Sequence, residues 1–191
     1  MKGKMIMTKR FGFTLAEVLI TLGIIGVVAA MTIPTLMNQT GQAQFRTGFK
    51  KMISTLNQAV TMNLALDNSD FSAMTVTNPT TTSASLYALF MNRMNILSTT
   101  TGQVTNGGTL GSTANYTLFF NDGMAISWDS VAGHDCTTTA PCKAVVDVNG
   151  VQRPNNLTTS TSLQDQFPVL LQNGQVLPNS VTARSVMYGS I

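Results

Sequence analysis

Apolar positions fall into three regimes along this chain. From Phe13 to Met37 they run almost unbroken, FTLAEVLITLGIIGVVAAMTIPTLM, with Glu17 as the single charge. About 20 apolar residues suffice to cross a bilayer core, so this run predicts a membrane-spanning helix. Further on, Phe45, Phe49, Met52, Ile53, Leu56, Ala59, Val60 and Leu64 recur at helical spacing, with Arg46, Lys50, Asn57 and Asn63 between them. That is the pattern of an amphipathic helix. No strong break separates the two regimes, although Gly41 and Gly48 weaken the second. One helix is therefore expected from about residue 14 to 66, roughly 80 Å long at 1.5 Å per residue. Its outer half needs something packed on it.

The third regime is strand-like. Residues 67–85 are rich in Thr, Ser and Asn and contain Pro79, which reads as a loop. Leu86, Leu89, Phe90, Met94 and Leu97 suggest a short second helix. The segment after it, 98–115, is poor in charge and rich in small residues and reads as a polar loop. Tyr116 to Phe120 and Met124 to Trp128 flank Asn121-Asp122-Gly123, a hairpin signal. Lys143 to Val148 reads as a third strand, and Pro168 to Leu171 with Gln175 to Leu177 as a last hairpin around Asn173-Gly174. The expected class is α+β, a long N-terminal helix packed on a small antiparallel sheet.

Charge changes the picture only at the N-terminus. Charged residues make up 10% of the chain, against roughly a quarter in ordinary soluble domains. The net charge is +3, but Lys2, Lys4, Lys9 and Arg10 precede the apolar run; seven basic residues then face eight acidic ones. A basic nucleic-acid-binding face is not indicated. The same four cations place the N-terminus in the cytoplasm and the remainder outside, by the positive-inside rule. The apolar run is longer than a secretory signal core and lacks a clean small-residue cut site. Both cysteines lie beyond residue 130, so no lipid-attachment cysteine sits near the start.

Gly12-Phe13-Thr14-Leu15-Ala16-Glu17, behind a basic leader, resembles the cleavage motif of type IV prepilins and type II secretion pseudopilins. The resemblance extends to about residue 65. It implies a pilin fold, with a leader at 1–12, a transmembrane and assembly helix at 13–37, its amphipathic continuation at 38–66 and a globular domain at 67–191. It also implies cleavage after Gly12 by a membrane aspartyl prepilin peptidase, N-methylation of Phe13, and a filament built with an assembly ATPase and an inner-membrane platform protein. The family's glutamate falls on Glu17 and its frequent proline on Pro34.

Glu17 points the same way on physical grounds. A carboxylate at the centre of a membrane helix is disfavoured by about 2.5–3.5 kcal/mol on insertion scales, so it needs a partner. Cleavage would free the Phe13 α-amine about 6 Å away along the axis. In a filament, the amine of a neighbouring subunit would neutralise Glu17 and fix the axial register. The alternative is a carboxylate that reaches back to the interface. Pro34 removes a donor and should kink or locally melt the helix near Ala30 to Pro34, either as a plain membrane-helix kink or as a segment that unwinds during assembly.

Cys136 and Cys142 enclose TTTAP, and on the oxidising side of a membrane the simplest reading is a local disulfide. Asp147, Asn149 and Asp165 offer oxygen ligands of the kind calcium favours, and some secretion pseudopilins bind calcium in this part of the fold. This chain lacks a dense acidic run, so a turn held by Asx hydrogen bonds is the preferred reading, and no cofactor is expected. His134 is the only histidine, and neither a nucleophile elbow nor a phosphate loop is present. No enzyme activity is assigned. The expected function is structural, a subunit of a polymeric filament at the bacterial inner membrane. A secretion pseudopilus, a type IV pilus and a DNA-uptake filament remain open. The competing class is a signal-anchored binding or enzymatic domain that is neither cut nor polymerised.

Overall fold

The computed structural model describes residues 12–76, 84–101, 115–129, 136–150, 152, 154–156 and 163–189. The elements are α1 (Leu15–Asp67), a 3-10 turn (Phe71–Ala73), α2 (Leu86–Arg93), β1 (Ile96–Thr101), β2 (Asn115–Phe120), β3 (Ala125–Asp129), β4 (Cys142–Asp147), β5 (Gln166–Gln172), β6 (Gln175–Pro178) and α3 (Val181–Tyr188). The expected single long helix and the antiparallel sheet are both present, in a pilin-like α+β arrangement. The chain divides into two compact units, 1–40 and 41–191, and α1 contributes to both.

In the second unit the six strands pair in sequence order, β1-β2-β3-β4-β5-β6, and every pairing is antiparallel. Strand side chains alternate between faces, and one face carries Leu118, Phe120, Ile126, Trp128, Ala144, Val146, Phe167, Val169 and Leu171 into the core. The buried stripe of α1 meets it through Phe49, Met52, Ile53, Leu56 and Val60. Phe49 stacks on Phe167 with ring centroids 4.4 Å apart. The other face presents Thr117, Ser127 and Val145 in register, all buried, with the two hydroxyls 2.7 Å apart.

Two small residues on α1 act as contacts and not as weak points. A Cβ on Gly48 would lie 2.3 Å from Val148 Cγ1, and one on Gly41 would lie 2.9 Å from Leu163 Cδ1. The segments after β4 and before β5 therefore approach the helix where it lacks side chains. Asn57 adds a polar clasp: its Oδ1 accepts from Val176 N at 2.8 Å, and its Nδ2 donates to Val176 O at 3.4 Å. That occupies the free edge of β6, the kind of edge that otherwise invites another strand.

Several expectations are corrected. The second helix ends at Arg93, so Leu97 belongs to β1 (Ile96–Thr101), which also takes residues 98–101 from the expected polar loop. Thr99, Thr100 and Thr101 pair with Leu118, Thr117 and Tyr116; β-branched threonine suits a strand whatever its polarity. Leu64 is exposed, and Asn63 is buried in its place, because its Nδ2 donates to Ser69 O and its Oδ1 accepts from Arg93 Nε. The loop expected over 67–85 contains the 3-10 turn, capped by Asp70, and a bridge between Thr75 and Ser85. Helix α3 was not expected at all. Finally, α1 runs helically through Pro34, so of the two expected outcomes, a kink or local melting, melting near Ala30 to Pro34 is not seen. Threonine hydroxyls around it donate to the backbone, Thr32 Oγ1 to Val28 O and Thr35 Oγ1 to Thr32 O.

Candidate functional site

The first described residues, Gly12, Phe13 and Thr14, precede the helix and are exposed, and α1 begins at Leu15. Thr14 is its N-cap. The Thr14 Oγ1 accepts from Glu17 N at 3.3 Å, while Glu17 Oε2 accepts from Thr14 N at 2.8 Å and from Thr14 Oγ1 at 2.8 Å. A reciprocal arrangement of this kind, N-cap Thr with N3 Glu, is a capping box. It fixes the helix start and folds the carboxylate back toward the N-terminus, where negative charge also suits the helix dipole.

From there to Thr40 the helix buries nothing. Phe13 is 88% exposed, and Leu19, Ile20, Ile24, Ile25, Met31 and Leu36 each exceed half. This is the one helix among the described residues that is long and apolar enough to cross a membrane. Such an unbroken apolar surface without protein cover suits lipid or other helices, and not water.

Residues 7–33 match the family model for the prokaryotic N-terminal methylation motif. The chain carries a prepilin signature. The prepilin match takes in Gly12, Phe13 and Glu17 and ends one residue before Pro34. Its span takes in Lys9 and Arg10, the capping box and most of the exposed apolar run. No curated protein and no solved structure matches the chain. The prepilin motif and the exposed apolar helix together fit a membrane-anchored structural protein.

In the second unit the Cys136–Cys142 disulfide is formed, with Cα atoms 4.6 Å apart and both residues buried. Asn173 N donates to Cys136 O at 2.7 Å, tying the small covalent loop to the β5–β6 turn. His134 and Asp135 lie outside the described residues.

Asp147 and Asp165 do come together, and both are buried. Asp165 accepts from Asn155 N at 2.7 Å and from Asn156 N at 2.6 Å, so it latches the segment after β4. Asp147 accepts from Asn149 N at 3.1 Å, an Asx hydrogen bond, and from Gln166 Nε2 at 2.9 Å. Burial pushes the Asp147 carboxyl up to about 7, reinforced by the Asp165 charge, against the lowering effect of Gln166, Asn149 and Gly150. Gly150 turns at φ +66°, and a Cβ there would sit 2.7 Å from Gly123 O, which fixes glycine at this crossing.

Sequence reasoning singled out Gly12, Phe13 and Glu17 but passed over Thr14, the residue on which α1 is capped. The signal was visible: Thr-x-x-Glu ahead of an apolar run is a capping box pattern. It also took Asn57 and Asn63 for solvated positions. Nothing local marks those two, because their partners, Val176 and Arg93, lie far along the chain.

Proposed function

We propose that this chain is a prepilin whose mature form is a structural subunit of a type IV pilus-like or type II secretion pseudopilus filament. A prepilin peptidase cuts between Gly12 and Phe13 and methylates the new terminus. The helix at 13–37 then holds the subunit in the bacterial inner membrane, with the globular part on the far side from the leader. Polymerisation gathers these helices, in homo- or hetero-polymers, with an assembly ATPase and a platform protein acting from the membrane and cytoplasm. Glu17, paired with a freed α-amine, sets the register, and Pro34 marks where the helix yields as subunits pack.

The observation that carries this reading is the coincidence of the matched motif with an apolar helix that buries no side chain between Phe13 and Thr40. A buried carboxylate in an apolar surround requires an opposite charge, and the cut supplies one at the right end of the helix. The test is intact mass and N-terminal sequencing of the membrane-expressed chain, with and without its peptidase. Loss of residues 1–12 with a methylated Phe13 is expected. An intact leader beside active peptidase would mean a signal-anchored domain instead. Glu17→Ala is expected to leave the subunit in the membrane and abolish filaments seen by electron microscopy.

A further inference from the structure

Resting on the filament reading above, we infer that the groove between α1 and α3 receives the C-terminal end of α1 from a second copy of this chain, with Lys50 of one copy paired to Asp67 of the next. The groove is open and about 700 Å³ in volume. Ile53 and Ala65 line it, Met62 and Met187 flank it, and Lys50 is the one charged lining residue among the described residues. Methionine side chains adapt to the shape of what they meet. An apolar groove with a single cation calls for an apolar knob that carries an acid.

Two charges on this surface run against the rules of an isolated helix. Lys50 is exposed and forms no ion pair among the described residues, and Arg46 one turn earlier adds a like charge. Asp67 stands at the C-terminal end of α1, whose last turn holds no base, and so opposes the helix dipole. Arg93 Nη2 donates to Asp67 Oδ2, but Oδ1 has no partner among the described residues and the side chain stays 53% exposed. An anion from outside would relieve the first charge, and a cation the second.

The neighbours of Asp67 single it out. Among the described residues of the second unit, Asp67, Asp70 and Asp122 are the acids that are not buried. Asp122 is engaged by Lys51, and Asp70 by the amide and hydroxyl of Ser72. Only Asp67 directly follows exposed apolar side chains, Leu64 and Leu66. These suit the apolar groove as Asp67 suits Lys50. Such a contact joins unlike surfaces of two copies, so it repeats along a filament without closing. With Leu66 of one copy beside Ser54 of the next, the copies are offset by roughly 18 Å along the helix, and the long stem of Lys50 spans the remaining turn to Asp67.

The test is a disulfide ladder in filaments of the full-length chain, expressed with its prepilin peptidase and assembly machinery. Ser54→Cys and Leu66→Cys change exposed positions. Within one chain they lie roughly 18 Å apart, beyond disulfide reach. After mild oxidation the double variant is expected to give covalent oligomers larger than dimers, and each single variant only monomer. Lys50→Glu added to the double variant is expected to cut the ladder roughly tenfold by setting like charges together. Lys143→Glu, on an exposed position of β4, is expected to leave it unchanged. Double-variant filaments without a ladder overturn the inference. So do dimers from a single variant, which would mean a two-fold contact through like surfaces, and so does equal loss from Lys50→Glu and Lys143→Glu. Failure of the wild-type chain to be cut or to form filaments would instead strike the filament reading.

Discussion

The two parts of α1 are both rich in apolar residues and have opposite fates. Between Phe13 and Thr40 none of them is buried, whereas Phe49, Met52, Ile53, Leu56 and Val60 are buried to within a few per cent. The difference lies in arrangement. The first part is apolar on every side, which no single protein face can cover; the second keeps one apolar stripe, matched by the inner face of the sheet. A helix that is apolar all round asks for a solvent, and one with a stripe asks for a partner. The first therefore speaks about what surrounds the chain, and the second about the domain.

The strongest way to break that contrast is to truncate one side chain from each part. Phe49→Ala removes a fully buried ring stacked on Phe167 and is expected to destabilise the domain by about 3–5 kcal/mol, whereas Ile25→Ala is expected to leave its melting temperature in detergent unchanged. Equal effects would mean that the first part also packs on protein in the isolated subunit.

Reduction of Cys136–Cys142 is expected to be next in size, at most ~2–3 kcal/mol from the short loop it closes, read as a lower denaturant midpoint with added thiol. The glycines give a subtler version of the comparison. Alanine normally favours a helix over glycine by about 1 kcal/mol, and Gly23→Ala, with open space around it, should show no loss. Gly48→Ala should instead cost about 1–2 kcal/mol, because the new methyl meets Val148. A neutral Gly48→Ala would show that Val148 moves aside freely.

Asp147 makes stability depend on pH. Its folded carboxyl titrates near 7 and its unfolded one near 3.8, so the folded state holds the extra proton between those values. Stability is then expected to fall as pH rises from about 4 to about 7, with the loss complete above that. Asp147→Asn should flatten the melting temperature over this window, and an unchanged slope would assign it elsewhere. The smallest effect belongs to the exposed Lys51–Asp122 pair: Lys51→Ala should change stability by under about 1 kcal/mol.

Period and turn chemistry made most of this architecture readable in advance. The two hairpins were marked by Asn121-Asp122-Gly123 and Asn173-Gly174, and α1 by its unbroken pattern. What escaped notice was decided by neighbours. β1 is half threonine, and its pairing with β2 makes it a strand. α3 is only two turns long, yet Ser180 caps it by accepting from Ala183 N, and Gly189 follows at φ +85°, so its ends were marked more clearly than its middle. The matched motif was legible because it is written in consecutive residues. The buried Asp147–Asp165 pair was foreseen as a set of oxygen groups, but its burial and its latch on Asn155 and Asn156 depend on distant chain closing over it.

Strand order equal to chain order carries a consequence for delivery. When a chain anchored by its N-terminal helix is exported, α1 is in place before anything else, and each later strand finds its partner already there. No strand waits for one still inside. Pairings between sequence neighbours also close quickly. The sheet can thus assemble at the pace of export, from β1 outward, until Asn57 of the waiting helix takes the last-made edge at Val176.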